Sequence, residues 1–137
     1  MALETATTSI LIPPLPESGE TYASNVRAVL SVDADGKGED VSIGWPERSR
    51  SKIHDHGKRK RNEEYQGSHG VTTVLWGKLY EWRLVDGEWI YREFSVGAIL
   101  TEDPDTVHCV GSHTGAITHH RYEPPLTNRL TVLEENT

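Results

Sequence analysis

Apolar residues recur along this chain in short alternating stretches rather than at helical spacing. From Asn25 onward they fall in NVRAVLSV, EDVSIGW, GVTTVLWGKLYEWRLV, EWIYREFSV, GAILTE, TVHCVG, GAITHHRYE and RLTVLEE. A period of two in segments rich in Val, Ile, Thr, Tyr and Trp predicts strands, because successive side chains of an extended chain point to opposite faces. Gly and Asp punctuate these segments at Asp33–Gly38, Gly77, Asp86-Gly87, Gly97, Asp103–Asp105 and Gly111–Gly115, and Asp86-Gly87 suits a type I′ hairpin turn. No stretch keeps apolar residues at i, i+3, i+4 and i+7 over a dozen residues, and the polar segment 57–68 offers at most a turn of helix. The pattern therefore predicts an all-β sandwich or barrel.

Residues 1–20, with Pro13, Pro14 and Pro16 among small polar residues, read as an extended lead-in segment, leaving residues 21–137 as the one domain that a chain of 137 residues accommodates. A formal charge of -7 and a pI near 5.4 argue against nucleic acid as a partner, since phosphate binding needs a basic face. The run Lys58-Arg59-Lys60-Arg61 is the local exception; its acidic sequel makes GKRKRNEEYQGS a solvated loop or a lid that screens substrate. No apolar run is long enough for a membrane span or a signal-peptide core, so a soluble, cytoplasmic protein is expected, as a monomer or homodimer. With Cys109 as the single cysteine, an intramolecular disulfide and a Cys-rich zinc site are excluded, and any metal must be held by nitrogen and oxygen.

His54-Asp55-His56 offers such nitrogens. On an extended chain residues i and i+2 share a face, so both imidazoles can converge on one ion. His108, 52 residues beyond His56 in DPDTVHCVG, could close a facial three-nitrogen site from a neighbouring strand. Three neutral imidazoles suit Fe, Zn, Cu or Ni and leave positions open for substrate. His69, His113 and His119 read as non-ligands, Cys109 as a buried thiol facing away from His108, and Trp45, Trp76, Trp82 and Trp89 as core or interface residues.

Over roughly residues 22–126 the segments IHDHG, SHGVTTVLWGKLYEW and GAILTEDPDTVHCVGSHTGAITHHRYEPPL resemble the cupin superfamily, and within it the thiol dioxygenases typified by cysteine dioxygenase. The resemblance implies a single-domain cupin β-barrel, the double-stranded β-helix or jelly roll. It also implies an Fe(II) ion on His54, His56 and His108 without the usual cupin glutamate ligand. The implied activity is oxidation of a small thiol, cysteine or a related mercapto acid, to its sulfinic acid with O2. The segment THHRYEPP is similar to the family's Ser-x-His-x-Tyr-x-Pro-Pro motif, which makes Thr118, His120 and Tyr122 a hydrogen-bonded relay whose phenol faces substrate. Period-two spacing puts these three on one strand face.

The chain departs from the family in four places. Gly70 stands where animal members carry a cysteine cross-linked to the tyrosine, so no such cross-link is expected here. Thr118 replaces the relay serine and keeps its hydroxyl. The insertion between His56 and Ser68 is longer than the family's turn. The arginine that binds the substrate carboxylate aligns with Arg27 if the distance to Trp45 is kept, or with Ser24 if the Tyr-x-x-Asn pattern is kept. Two other functions fit the same scaffold: a metal-dependent cupin oxygenase acting on another small metabolite, and a non-catalytic ligand-binding cupin.

Overall fold

The computed structural model describes residues 12–16, 21–22, 26–62, 64–127 and 129–133. Its strands are β1 (Thr21–Tyr22), β2 (Arg27–Val32), β3 (Glu39–Trp45), β4 (Ser49–Arg50), β5 (His54–Asp55), β6 (His69–Gly77), β7 (Leu79–Val85), β8 (Glu88–Phe94), β9 (Ile99–Glu102), β10 (His108–Ser112), β11 (Ala116–Glu123) and β12 (Thr131–Val132). The sole helical element among the described residues is a 3-10 turn over Lys58–Lys60, inside the polar segment where a turn was expected. The all-β expectation holds, and each alternating stretch contains a strand.

Two sheets face each other. One has the order β2-β3-β11-β6-β9; the other runs β1-β4-β10-β5-β12, with β7 joining β10 to β8. The stretch GVTTVLWGKLYEWRLV, read as one run, divides between them: β6 lies in the first sheet and β7 in the second. The switch sits at Gly77, whose φ is +77° and where a Cβ would overlap the Gly115 carbonyl. Asp86 and Gly87 both take positive φ, as a type I′ turn requires, and close the β7–β8 hairpin.

Between the sheets lies a core of Trp45, Val74, Leu79, Leu100, Val110 and Ala116. Burying a side chain such as Leu79, which is fully enclosed, contributes about 2–3 kcal/mol. A second cluster of Ile53, Val107 and Cys109 covers the outer face of the seven-stranded sheet, where Ile12 and Leu15 of the lead-in segment pack with Trp82, Leu84, Trp89 and Leu133. The Trp89 indole donates to the Pro13 carbonyl at 2.9 Å and fastens that segment. Cys109 thus faces away from its neighbour His108, as the alternation implies. No helix among the described residues is long and apolar enough to cross a membrane.

Candidate metal centre and its hydroxyl relay

His54 and Asp55 form β5, a strand of two residues held between β10 and β12; His54 pairs with His108 on one side and Val132 on the other. Asp55 faces away and accepts from the Gly57 amide at 3.0 Å, closing the turn that brings His56 back to the same side. One nitrogen from each of His54, His56 and His108 then lies within 4.8 Å of the others, and all three rings are buried. The set expected from the sequence is brought together.

The hydrogen bonds behind the rings decide what the nitrogens in front can do. His54 donates from Nδ1 to the Lys52 carbonyl at 2.7 Å, and His108 donates from Nδ1 to Glu81 Oε2 at 2.7 Å. Both Nε2 atoms therefore present lone pairs to the shared space. His56 Nε2 comes within 3.0 Å of His108 Nε2, and its buried Nδ1 has no partner among the described residues. A proton or a cation between them relieves so close an approach, and the donor set, three neutral imidazoles with one backed by a carboxylate, fits a divalent transition metal. Burial, with His108 beside it, lowers the His54 pKa to about 3, and burial with His108 and His54 nearby pushes His56 further down, so both rings are neutral as ligands must be.

Glu81 was missed by sequence reasoning. It is fully buried on β7, and besides His108 it accepts from Arg83 at 2.8 Å and Arg92 at 3.1 Å. Burial alone would raise its pKa, but the hydrogen bonds from His108 and Arg83, with the Arg83 charge beside it, outweigh that and hold it at about 2. The available signal was parity: Glu81 follows Leu79 by two and is an acid on the apolar face of a strand.

The opposite wall comes from the five-stranded sheet. Thr118, His120 and Tyr122 of β11 face inward, opposite Val74, Thr72 and Gly70 of β6. Thr118 Oγ1 lies 2.7 Å from His120 Nε2, and His120 Nδ1 lies 2.8 Å from Thr72 Oγ1 and 3.3 Å from the Tyr122 hydroxyl. The Trp45 indole, which can only donate, reaches Thr118 Oγ1 at 2.9 Å. Thr118 is then free to donate to Nε2, which places the proton on Nδ1, and Thr72 passes the chain on to Glu102 Oε1 at 3.2 Å. In this arrangement the Tyr122 hydroxyl hydrogen stays available to the cavity. Burial, with His119 and His108 adding to it, lowers the His120 pKa to about 3; burial, with Glu102 and Glu39 nearby, pushes the Tyr122 phenol well above its usual range. Neither relay ring is charged at neutral pH.

The two walls enclose a cavity of about 150 Å³ lined by Ile43, Trp45, Ser51, Val110 and Leu130 together with His54, His108, His120, Tyr122 and Glu102. Arg27 is absent from this lining. In β2 it pairs with Gly44, whereas Ala28 pairs with the cavity residue Ile43. Paired residues of antiparallel strands share a face, so Arg27 projects from the exposed side of the sheet. Its rival Ser24 falls outside the described residues. The insertion is anchored to the barrel through Tyr65, which is buried, its hydroxyl 3.0 Å from Ser68 Oγ and its ring 4.7 Å beneath Arg129. His69 faces Asp103, His113 stacks on Tyr80 and His119 meets Asp40, so none of them approaches the three imidazoles. A Cβ at Gly70 would lie 2.9 Å from Tyr122 Cε1, so this glycine adjoins the tyrosine ring, where the resemblance sets the cross-linking cysteine of animal members.

The sequence matches no family model and no curated protein. Solved structures do match the fold. An uncharacterised conserved protein with a double-stranded β-helix domain from Klebsiella pneumoniae superposes with a TM-score of 0.61 at 15% identity, covering 88% of this chain and 90% of that one. A cupin 2 conserved barrel domain protein from Salinispora arenicola gives 0.57 at 17% identity over 84% and 89% of the two chains. An oxalate oxidase gives 0.60 at 11% identity, covering 85% of this chain and 62% of that one. The chain therefore has the cupin, double-stranded β-helix fold, with a buried three-histidine cluster able to hold a metal.

Proposed function

We propose that this cupin is a non-haem Fe(II)-dependent dioxygenase that converts a small thiol, of the size of cysteine or a mercapto acid, to its sulfinic acid. The observation that carries the reading is the meeting of His54, His56 and His108 with the Thr118–His120–Tyr122 relay across one small cavity. Iron(II) bound there would supply affinity for thiolate sulfur and a redox centre through which the sulfur's electrons could pass to dioxygen. The balance is R–SH + O2 → R–SO2H: sulfur loses four electrons, dioxygen gains them, and two S–O bonds form.

The chain's own residues bind, orient and exclude water. Ile43, Trp45, Val110 and Leu130 make a dry wall in which a thiol is shielded and polar contacts gain strength. Tyr122 offers its hydroxyl hydrogen to negative charge developing on oxygen or sulfur, and His120, fixed by Thr118 and Thr72, holds that hydroxyl in place. The outward-facing Arg27 favours a second reading on the same scaffold, an oxygenase for another small metabolite that needs no carboxylate clamp.

Anaerobic loading with Fe(II), followed by oxygen uptake across a panel of small thiols with mass detection of the product, tests the proposal. A sulfinate two oxygen atoms heavier than its thiol, formed with one O2 consumed, supports it. Oxygen uptake with none of the thiols overturns it.

A further inference from the structure

Glu102 is no part of the ligand set, and only one of its two oxygens is engaged by the relay, where it ends the hydrogen-bond chain through Thr72. It ends β9, is 3% exposed, and lines the same cavity as His54, His108 and Tyr122. One oxygen, Oε1, receives the Thr72 hydroxyl, while the other, Oε2, is buried and has no partner among the described residues. It lies in a row across the sheet with Gly70 and Tyr122, and the missing side chain at Gly70 leaves it room: a Cβ there would sit 3.6 Å from Oε2.

The other charges around the cavity are already matched. Glu81 is held by His108, Arg83 and Arg92, and Glu39 accepts three hydrogen bonds on Oε1, from the Leu126 and Thr127 amides and the Thr127 hydroxyl. Among the described residues no lysine or arginine lines the cavity, and Arg27 points outward. A substrate carboxylate held away from the imidazoles would face a carboxyl and meet no lysine or arginine among the described residues lining the cavity. A substrate ammonium would meet an oxygen that lacks a donor, and a buried acid with an open acceptor is compensated by such a group.

We propose that Glu102 reads the non-sulfur end of the substrate and that the site selects small thiols carrying a protonated amine and no carboxylate. The inference rests on the thiol reading above. Both ends of an aminothiol fit a cavity of about 150 Å³ shared by the imidazoles and Glu102.

The test reads binding and product separately. The protein loaded with Co(II) is titrated without oxygen with 2-aminoethanethiol, cysteine and 3-mercaptopropanoate, following the thiolate-to-cobalt charge-transfer band. The Fe(II)-loaded protein is then assayed for sulfinate with the same three compounds. The expected Kd for 2-aminoethanethiol lies about 10- to 100-fold below that for 3-mercaptopropanoate, the range of one charge-assisted contact, with cysteine between them. Glu102→Gln should bind one Co(II) as before and bring the three within about 3-fold of one another. Equal or tighter binding of 3-mercaptopropanoate by the wild type overturns the proposal, as does an unchanged ranking in a folded Glu102→Gln chain. If that variant does not fold, the wild-type ranking decides alone. Sulfinate formed without the ranking removes the role of Glu102 and keeps the dioxygenase; the ranking without sulfinate keeps the amine-reading pocket and removes the dioxygenase. Absence of a charge-transfer band with every thiol overturns both.

Discussion

The two walls of the cavity reach their precision by different means. On the seven-stranded side the imidazoles sit on short pieces of strand: β5 has two residues, and His56 lies beyond its end. Their orientation depends on backing groups, the Lys52 carbonyl for His54 and Glu81 for His108, and His56 Nδ1 has no such support among the described residues. On the five-stranded side the relay sits in β11, which pairs along its whole length with β6, through one irregularity between Ile117 and Thr118, and over all but its last residue with β3. There the pleat alone sets three side chains in line, and each hydrogen bond closes between groups already placed. A wall built on fragments leaves its last ordering to the ion; a wall built on a continuous strand is finished without one.

Removing a ligand should break this contrast most severely. His108→Ala should reduce metal affinity by more than the roughly 10- to 100-fold that loss of a supporting residue costs, while the relay wall keeps its structure. Full iron occupancy in that variant, by elemental analysis, would remove the three-histidine site. On the other wall, Tyr122→Phe should leave iron content unchanged and lower turnover by roughly 10- to 1,000-fold, the range for one preorganised donor. Combined with His120→Gln, it should lose much less than the product of the single losses, because the two groups act through one hydrogen bond. Multiplicative losses would show that they act separately.

Glu81→Gln sharpens the comparison on the metal side. It keeps the size of the side chain but weakens the acceptor behind His108, and metal affinity should fall about 10- to 100-fold by competition with a chelator. An unchanged affinity would mean that the strand alone orients His108. The smallest effect concerns the relay in the metal-free chain. His120 has a folded pKa of about 3 against roughly 6.5 in the unfolded chain, so as pH falls below 6.5 the unfolded state takes up a proton that the folded state refuses. Its contribution to stability is therefore present above that pH and is lost on acidification. Between pH 6 and 4 the wild type should lose about 1.4 kcal/mol per pH unit more than His120→Gln in denaturant titrations. Parallel slopes would place His120 in contact with water.

Alternation along a strand and spacing between histidines were enough to read the strands, His54, His56 and His108, and the shared face of Thr118, His120 and Tyr122, because each is a property of a few consecutive residues. Glu81, Glu102, Thr72 and Trp45 became partners only through register between strands far apart in sequence. Arg27 shows the same limit from the other side. Its distance from Trp45 could be counted, but whether it faced the cavity depended on pairing with Gly44 rather than Ile43, and a shift of one residue reverses the answer. Gly77, seen as punctuation, marks the point where the chain leaves one sheet for the other.

The position of β5 also sets an order of events. His54 pairs with His108 on one side and Val132 on the other, and Asp55 pairs with Thr131, so these neighbours are made 50 or more residues after β5 itself. Closing such distant pairs is slow compared with forming hairpins such as β7–β8. The imidazoles of a nascent chain are therefore scattered, and a three-nitrogen site able to hold a metal can form only after the strand at Thr131 has been made.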